Sequence, residues 1–593
     1  MKPGKNIILV IILALTFLSF FNTLSCDFTN SDEEKYIILN PAIKDLSLSG
    51  IIGIFSSMDL NLYTPLTTLS FAVDYALWRL NPAGYHAVNL FLHLLNTWLV
   101  FGFCRRWSRS NITAGIAACL FGVHPVHVES VAWIAERKDL LFTMFAMSSL
   151  LLYDHYRQYP KKRLVQAAGI FMFLCSLLAK PQAAALPAVL LLMDYFRDIP
   201  FCFRRSLVRI WPFAALTVIV CGLTLYFSIV SYDPGVYAYA NTSVYAWWNR
   251  PFLVTYGICF YIVKLLWPFS LTAIYACPPE VEGMLPLVYY LSTFGIAGLF
   301  WATWRLWKRK NDFVFGAFFF LLMLLPVIQI IPFGQVVVAE RYAYLSSVGL
   351  FLIAGQVVAG KIREQPASRY LWGMAVIFVM LGLAWLTCER NKVWANSETL
   401  YTDIIAKNPH IALAYNNRGV ARSQRGDYEG AGRDYDEAIR LEPRYAGAFF
   451  NRGVLRGQTQ NITGALSDYG TAILLDPRYA AAYYNRGLLF DAQGDTNRAL
   501  HDYTDAISLD PKLGWAFAAR GVIMAERGQY DRALADLKCA LQLNPTNAVA
   551  YFNMGKVYLA LSNSAAARLC IENAYSLGLR PEQNASTKHS LSP

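Results

Sequence analysis

Residues 415–443 read YNNRGVARSQRGDYEGAGRDYDEAIRLEP, and this stretch decides the fold of the C-terminal third of the chain. Its closing proline recurs every 34 residues, at Pro409, Pro443, Pro477, Pro511 and Pro545. A glycine keeps the same step, at Gly419, Gly453, Gly487, Gly521 and Gly555. A fixed period of this length is typical of solenoids, in which each unit buries its apolar face against its neighbours. The sequence therefore predicts five stacked units over residues 410–579.

The repeat resembles the tetratricopeptide repeat, a unit of two helices. The positions that carry the resemblance in the first unit are Tyr415, Gly419, Ala431, Tyr435, Ala438 and Pro443. The resemblance implies an α-solenoid with a concave groove that binds polypeptide. Residues 391–409, with Tyr401 in the aromatic position, are interpreted as a half repeat that connects the array to the preceding part of the chain. Residues 580–593 are expected to form a disordered tail.

Residues 1–390 have the composition of a polytopic membrane domain. The uncharged, mostly apolar runs lie at 6–26, 86–103, 112–130, 139–156, 164–179, 183–196, 210–230, 286–304, 313–331, 344–360 and 370–388. About 20 apolar residues span a bilayer, so these runs predict a helix bundle with about eleven crossings. A cleaved signal peptide is the alternative for the first run. The hydrophobic fraction of 56% and the charged fraction of 16% agree with a membrane protein.

The basic residues of this domain indicate its orientation. They cluster in alternate loops, at Lys2/Lys5, Arg105/Arg106/Arg109, Lys161/Lys162/Arg163, Arg204/Arg205/Arg209, Arg305/Lys308/Arg309/Lys310 and Lys361/Arg363/Arg369. By the positive-inside rule these loops are cytoplasmic, and the repeats lie on the outer face. That face is the periplasm for a bacterial inner membrane and the lumen for an endoplasmic reticulum membrane. The run 251–269 breaks this parity and carries Lys264, so we interpret it as re-entrant or interfacial.

Most of the net charge of +12 is therefore explained by the basic loops that set the membrane orientation, and no nucleic-acid partner is expected. The outer loops collect acids and bases of their own. They contain the acidic segment 27–34, the motif HPVHVE at 124–129, ERKD at 136–139, KPQ at 180–182 and ERY at 340–342. We expect these groups to converge on one outward cavity. Such a cavity would join a base for a hydroxyl nucleophile to cations for a phosphate leaving group.

Several segments together resemble the transmembrane and tetratricopeptide repeat-containing protein family. They are residues 27–41, YTPLTTLSFAVDYALW at 63–78, NPAGYHAVNLFLH at 81–93, HPVHVESVAWIAERKD at 124–139 and ERYAYL at 340–345. The resemblance covers nearly the whole chain, including the order of its two halves. It implies a GT-C glycosyltransferase fold. It also implies protein O-mannosyltransferase activity with a polyprenyl-phosphate sugar, such as dolichyl-phosphate mannose, as donor.

The resemblance also implies catalytic residues in the first outer loop, residues 26–65. The family has an adjacent acidic pair there, and this chain has Asp32 and Glu33, with Glu where the family more often has Asp. Asp32 would take the proton of a Ser or Thr hydroxyl as it attacks the anomeric carbon with inversion, and Glu33 would orient the acceptor. The alternative is a solvated loop with acids at a helix start.

Arginine and lysine of other outer loops are candidates for the donor phosphate, because a guanidinium can bind phosphate oxygens bidentately. The candidates are Arg341, Arg137 and Lys138. Each has an alternative reading as an interfacial anchor or as an ion-pair partner. The acids available for such pairs are Glu340, Glu136 and Asp139.

His124, His127 and Glu129 are further outer-face candidates and have the residue types of metal ligands. Two histidines three residues apart beside a proline are more often polar residues at a helix end. We therefore expect no metal and no bound cofactor. The eleven cysteines contain no CxxC motif, so neither a disulfide framework nor a thiolate metal site is predicted.

Comparison among the repeats gives two further predictions. Arg418, Arg452, Arg486 and Arg520 are each followed sixteen residues later by Asp434, Asp468, Asp502 and Asp536. Both positions change together in the fifth repeat, to Met554 and Cys570, so we expect an ion pair between the two helices of each unit. A second series is Asn417, Asn451, Asn485 and Asn553. It resembles the asparagine ladder of O-GlcNAc transferase, which implies binding of an acceptor backbone, and local capping is the alternative.

Two classes of function stay open at this point. The first is a membrane glycosyltransferase that acts on a lipid-linked sugar and a polypeptide acceptor. The second is a non-catalytic membrane scaffold that recruits partner proteins through its repeats. The acidic pair favours the first, since a scaffold does not require Asp32 beside the cations. The sequence does not define the oligomeric state.

Overall fold

The computed structural model describes residues 4–58, 62–198, 200–230, 245–276, 278, 280–307, 312–330 and 336–579. The predicted all-α fold is confirmed, since no strand occurs in these residues. The chain forms two compact units, Met1–Pro409 and His410–Pro593. The predicted disordered tail, the basic residues Lys2 and Lys308 to Lys310, and the last residue of the apolar run 313–331 lie outside the described residues.

The first unit is a bundle of helices of very unequal length. Its α-helices are Gly4–Phe20, Leu48–Phe55, Pro65–Trp78, Pro82–Ser108, Asn111–Val123, Val128–Ala132, Arg137–Gln158, Arg163–Ala179, Leu186–Arg197, Phe203–Val230, Arg250–Leu266, Leu287–Trp307, Asp312–Leu324, Ala343–Glu364, Arg369–Val393 and Ser397–Lys407. Single 3-10 or π turns lie at Phe21–Ser25, Glu34–Ile38, Pro41–Lys44, Pro125–His127, Ile134–Glu136, Pro181–Ala185, Trp247–Asn249, Leu325–Val327, Glu340–Tyr342 and Pro366–Ser368. Several of these turns join helices at the positions of the predicted outer-loop motifs.

Six described helices are long and apolar enough to cross a membrane. They are Ile7–Ser25, Pro82–Ser108, Phe203–Ile229, Leu287–Leu306, Glu340–Glu364 and Arg369–Val393. The pair Asn111–Val123 and Pro125–Ala132 is bent by 50° and would be a seventh span if it crosses as one. These helices identify the chain as an integral membrane protein, and the predicted count of eleven crossings stays a prediction. The run 251–269 forms the 17-residue helix Arg250–Leu266, which is not among these candidate spans.

Local sequence explains where helices of this bundle begin and how closely they approach. Pro82 follows Asn81, whose side chain accepts the backbone N–H of Ala83, as expected for an N-cap followed by proline. The helices Asp312–Leu324 and Ala343–Glu364 cross at two glycines. A Cβ on Gly316 would lie 2.5 Å from the carbonyl oxygen of Gly349, so only glycine permits this approach.

The second unit contains five helix pairs at the predicted period. Its helices are Ala412–Gln424, Tyr428–Leu441, Ala446–Gln458, Ile462–Leu475, Ala480–Ala492, Thr496–Leu509, Gly514–Glu526, Tyr530–Leu543, Ala548–Ala560 and Ser564–Ser576. In the first three repeats the recurring glycine lies against the tyrosine sixteen residues later, and in the last two it lies against Leu537 and Ile571. A Cβ on Gly453 would lie 2.8 Å from the Tyr469 ring, and one on Gly487 equally close to Tyr503. This close contact explains why glycine keeps the 34-residue step.

The predicted ion pairs of the repeats are confirmed. Each arginine donates through Nε and Nη2 to both oxygens of the aspartate sixteen residues later, at 2.7 to 3.0 Å. The four aspartates are at most 7% exposed. The arginine planes also lie 5.4 to 5.8 Å from the ring three residues earlier. In the fifth repeat Met554 and Cys570 are buried in an apolar cluster instead.

Candidate functional site

The first outer loop is fixed on the N-terminal side of its acidic pair. The backbone N–H of Asp27 donates to the carbonyl of Ala395 at 2.9 Å. The backbone N–H of Asn30 donates to the hydroxyl of Ser397 at 2.8 Å. Asp32 is half-buried, and its carboxylate makes no hydrogen bond to another described residue. The loop therefore presents Asp32 as an acceptor that a ligand can still use.

Glu33 is held by the chain from two directions. One carboxylate oxygen accepts the backbone N–H of Thr29 at 2.6 Å and a short bond from its hydroxyl. The other oxygen accepts the backbone N–H of Ile134 at 3.0 Å. The residue is 1% exposed. This position fits a residue that fixes the loop and thereby Asp32, and it differs from the exposed position that a direct role in orienting the acceptor requires.

Burial raises the pKa of Glu33 to about 7 from an ordinary value of 4.5. The hydrogen bonds from Thr29 and Ile134 act in the opposite direction, and the charge of Asp32 raises the pKa further. Between pH 4.5 and 7 the folded protein thus binds more protons than the unfolded chain. Its free energy of unfolding must fall as the pH rises through this window.

We expect Glu33→Gln to reduce this dependence by the share of one carboxyl group, because the amide does not titrate. The melting temperature of the wild type should decrease from pH 5 to pH 7.5, with a full effect of about 3 kcal/mol on the free energy of unfolding. The variant loses one backbone hydrogen bond, so its absolute stability changes for a second reason. The relevant measurement is therefore the slope of the melting temperature against pH. Glu34→Gln, at an exposed neighbouring acid, is the control. An equal slope in wild type and Glu33→Gln would contradict the assignment.

A second group of charges is arranged around one carboxylate oxygen. Oε1 of Glu136 lies 3.1 Å from Nζ of Lys138 and 3.3 Å from Nε of Arg341. Glu129 accepts the backbone N–H of Arg341 at 2.8 Å and pairs closely with its guanidinium. The turn Ile134–Glu136 carries Glu136 and the turn Glu340–Tyr342 carries Arg341. Glu129 lies in the short helix Val128–Ala132, and Lys138 lies in the first turn of the helix Arg137–Gln158. Two segments about 200 residues apart in sequence are thus joined by ion pairs.

The two groups form one cluster. Lys138 interacts electrostatically with Glu136, Tyr36 and Asp32, and its ammonium lies 5.5 Å from the centre of the Tyr36 ring. The guanidinium of Arg341 lies 5.4 Å from the centre of the Trp133 ring. We call these residues the charge cluster: Asp32, Glu33, Glu129, Glu136, Lys138 and Arg341. The predicted convergence of the first loop, the ERKD motif and the ERY motif is therefore observed.

The charge balance of this cluster differs from the expected excess of cations. Lys180 pairs closely with Asp139 beside the cluster and lies 5.6 Å from the centre of the Tyr342 ring. The three described cations of this region are Lys138, Lys180 and Arg341, and the three acids paired with them are Glu129, Glu136 and Asp139. Since burying a lone charge is costly, each cation carries its own carboxylate.

Arg137 lies apart from the cluster. Its guanidinium is 0% exposed and pairs with Asp74 at 2.5 Å. It also donates to the side chain of Asn89 at 2.7 Å and to the carbonyl of Tyr85 at 3.0 Å. These bonds use the N–H groups of the guanidinium inside the bundle. Arg137 is therefore an ion-pair residue, which is the alternative interpretation given above. No phosphate can reach Arg137 in this arrangement.

The two histidines use both ring nitrogens within the protein. His124 lies 3.1 Å from the carbonyl of Leu265 and accepts the backbone N–H of Val126. His127 bonds the carbonyl of Phe121 at 2.8 Å and the hydroxyl of Ser347 at 3.2 Å. Both are at most 1% exposed, so they are structural residues of the bundle.

Glu129 belongs to the cluster as the partner of Arg341, and it forms no metal-binding group with the histidines. Among the described residues, one trio of acids and histidine has oxygen or nitrogen atoms close enough for an ion, namely His501, Asp502 and Asp505. Asp502 is already the bidentate partner of Arg486. This trio therefore resembles an ordinary helix surface more than a metal site.

Only part of the asparagine series has side chains that are available for binding a polypeptide in the groove. In the predicted series, Asn485 and Asn553 donate to carbonyls four residues earlier in their own helices, at 3.1 and 2.9 Å. Asn485 is also 6% exposed. Asn451 donates to the side chain of Asn416 in the preceding repeat at 2.9 Å, and Asn416 donates to Asn417 at 3.0 Å. Acceptor binding by this series stays a prediction.

The sequence predicted the members of the cluster and offered Glu136 as an ion-pair partner, which is confirmed for Lys138 and Arg341. It offered Glu340 as an alternative partner of Arg341, whereas Glu340 accepts a hydrogen bond from Tyr275 at 2.8 Å and lies 3.9 Å from Arg390. Only the fold brings Glu129 to Arg341. The sequence signal that could have indicated this pairing is the seven-residue spacing of Glu129 and Glu136. The short turns between these two residues obscure it.

Known proteins similar to this chain include several protein O-mannosyl-transferases. Protein O-mannosyl-transferase F38B6.6 of Caenorhabditis elegans is 24% identical over 73% of this chain and 62% of its own length. Protein O-mannosyl-transferase Tmtc1 of Drosophila melanogaster is 26% identical over 70% of this chain and 59% of its own. Human protein O-mannosyl-transferase TMTC3 is 24% identical over 73% and 51%. The resemblance is confirmed. The chain spans about half to three fifths of the length of these relatives.

The repeats match two family models. The model described as TPR repeat matches residues 419–460, 458–494 and 523–562, and the tetratricopeptide repeat model matches residues 480–513. One similar solved structure is that of YrrB, described as a TPR protein with an unusual peptide-binding site. It is 22% identical, covers 32% of this chain and 97% of its own, and has a TM-score of 0.27. The repeat assignment rests on the family models and on the five helix pairs.

Proposed function

We propose that the chain is a membrane glycosyltransferase that moves mannose from a polyprenyl-phosphate donor to a Ser or Thr hydroxyl of a polypeptide on the outer face. The observation that carries the proposal is the position of Asp32, an acid with an unused carboxylate near Lys138, whose ammonium shares Glu136 with Arg341. The names of the similar proteins supply the reaction class. For a bacterial chain the outer face is the periplasm.

Asp32 acts as the general base in this mechanism. Its carboxylate accepts the hydroxyl proton of the acceptor while the hydroxyl oxygen forms a bond to the anomeric carbon. The bond from that carbon to the phosphate oxygen breaks on the opposite side of the sugar, and the electron pair stays on the phosphate. A single displacement of this kind inverts the anomeric configuration. Glu33 fixes the loop that carries the base.

Lys138 and Arg341 stabilise the leaving phosphate. Their nitrogens are held about one oxygen atom of Glu136, so both can face one anion without rearranging. The departing phosphate gains negative charge as the bond breaks, and cations fixed in place before the reaction favour that state over the bound donor. Glu129 and Glu136 position the cations and balance their charge.

The repeats bind the acceptor in this proposal. Solenoids of this type present extended surfaces, and a bound segment would be held while one hydroxyl reacts. Asn417, Asn451 and Asn553 are partly exposed. A groove function for them requires that their amides exchange local partners for a guest backbone.

A donor panel tests the proposal. Purified full-length chain in detergent would receive polyprenyl-phosphate mannose, polyprenyl-phosphate glucose or a nucleotide-linked mannose, together with Ser- and Thr-containing peptides. Mass spectrometry should find a hexose on peptide hydroxyls with the first donor and none with the nucleotide sugar. If no donor yields a modified peptide while the chain still retains partner proteins, the scaffold reading replaces the enzyme.

A further inference from the structure

The junction between the first and second repeats contains a cavity of about 280 Å³. It is lined by the helix Tyr428–Leu441 of the first repeat and the helix Ala446–Gln458 of the second. Its lining residues are Tyr428, Glu429, Gly432, Asp436, Arg452, Leu455, Arg456 and Thr459. The floor is Leu455, which is 6% exposed, and the wall is Tyr428, which is 45% exposed.

The other repeat junctions fill the equivalent space with a leucine of the chain. Positions related to Gly432 by the 34-residue step are Leu466, Leu500 and Leu534. Each of these leucines packs on the cluster that contains the residue equivalent to Leu455, namely Leu489, Ile523 and Val557. The first junction therefore lacks one aliphatic side chain at a place where the repeat architecture has room for it.

A second departure from the pattern lies at the same junction. Positions related to Arg456 are Phe490, Met524 and Tyr558, which are all apolar or aromatic. Arg456 donates to Asp468 at 2.7 Å through one nitrogen and is 31% exposed, so its remaining N–H groups can reach a guest. Asp436 faces the cavity from the other helix and is 63% exposed while it pairs with Arg452.

We infer that this cavity binds one branched aliphatic side chain, such as leucine, of a guest polypeptide. The guest side chain takes the place that Leu466, Leu500 and Leu534 occupy at the other junctions. Arg456 donates to a carbonyl of the guest backbone and Asp436 accepts a backbone N–H beside it. The inference concerns polypeptide recognition and holds whether or not the first unit transfers sugar.

The geometry provides a variant that closes the cavity. A Cβ at Gly432 would lie 3.7 Å from Leu455, an ordinary contact, so Gly432→Leu can restore the pattern of the other repeats. Gly470→Leu is the matched control, since Gly470 lies on the equivalent helix of the second repeat with nothing within 4 Å of its Cβ position. Both changes raise helix propensity, and only the first fills the cavity.

The experiment measures fluorescence anisotropy of two labelled peptides on the full-length chain in detergent. The peptides are Gly- and Ser-rich nonamers with Leu or Ala at the centre. We expect the Leu peptide to bind about tenfold more tightly to the wild type and to Gly470→Leu, as burial of one such side chain implies. Gly432→Leu should bind both peptides equally and keep or raise the melting temperature.

A second variant, Gly432→Met, fills the same space with an adaptable side chain if the leucine does not fit. It too should abolish the preference. Equal binding of both peptides by the wild type would overturn the inference. So would a tenfold preference that persists in a folded Gly432→Leu or Gly432→Met protein.

Discussion

Asp32→Asn should lower the rate of sugar transfer at saturating donor by at least about 100-fold, because the amide cannot accept the hydroxyl proton. The substitution is nearly isosteric and leaves the hydrogen bonds of Glu33 in place. The melting temperature should therefore change little. The measurement is the initial rate of peptide mannosylation, with donor and acceptor concentrations varied so that kcat and KM separate.

Glu34→Gln serves as the matched control for this prediction. Glu34 follows the pair directly and is exposed, so its neutralisation changes the charge of the loop equally. Its rate should stay within about twofold of the wild type. Were Asp32→Asn and Glu34→Gln to have equal, small effects, Asp32 would be an ordinary loop acid and the proposed base would have to be sought elsewhere.

Arg486→Met should destabilise the third repeat by about 3 kcal/mol, because it leaves the carboxylate of Asp502 buried without its partner. Asp502 is 4% exposed and has no second arginine, whereas Asp468 is shared by two. The double variant Arg486→Met with Asp502→Cys copies the apolar pair of the fifth repeat. It should recover most of the loss.

Hydrogen exchange of the full-length chain measures this effect locally, in peptides that cover residues 480–509. Arg433→Met is the control, since its pair with Glu429 is exposed on both sides and should contribute less than about 1 kcal/mol. If the double variant were as unstable as Arg486→Met alone, the coupled changes in the fifth repeat would not reflect a direct contact.

The repeats were predictable in detail because equivalent positions recur in five units in nearly the same environment. The fixed step of Gly453 and Tyr469 reports a steric contact within one unit, and the joint change at Met554 and Cys570 reports an ion pair. Local spacing was sufficient for these contacts. Whether an asparagine bonds a guest or its own helix depends on rotamers, which spacing does not determine.

The outer site was predictable in membership and less so in geometry. Outer-loop position indicated that Asp32, Lys138 and Arg341 should converge. Their pairing depends on the short helix that carries Glu129 and the turn that carries Glu136, and these segments have no repeating pattern to reveal which side chain faces inward. The sequence likewise does not reveal that Arg137, adjacent to Lys138, points away from the cluster and pairs with Asp74.

The central claim is that this chain displaces a lipid phosphate from a sugar with Asp32 as base. A single-turnover reaction tests it most directly, with the chain in excess over a β-linked polyprenyl-phosphate mannose labelled at the anomeric carbon and with a Thr-containing peptide. Nuclear magnetic resonance of the labelled carbon should show complete conversion to an α-mannosyl peptide, and Asp32→Asn should leave the donor intact. Recovery of unchanged donor with the wild type, or of a β-mannosyl product, would contradict the account.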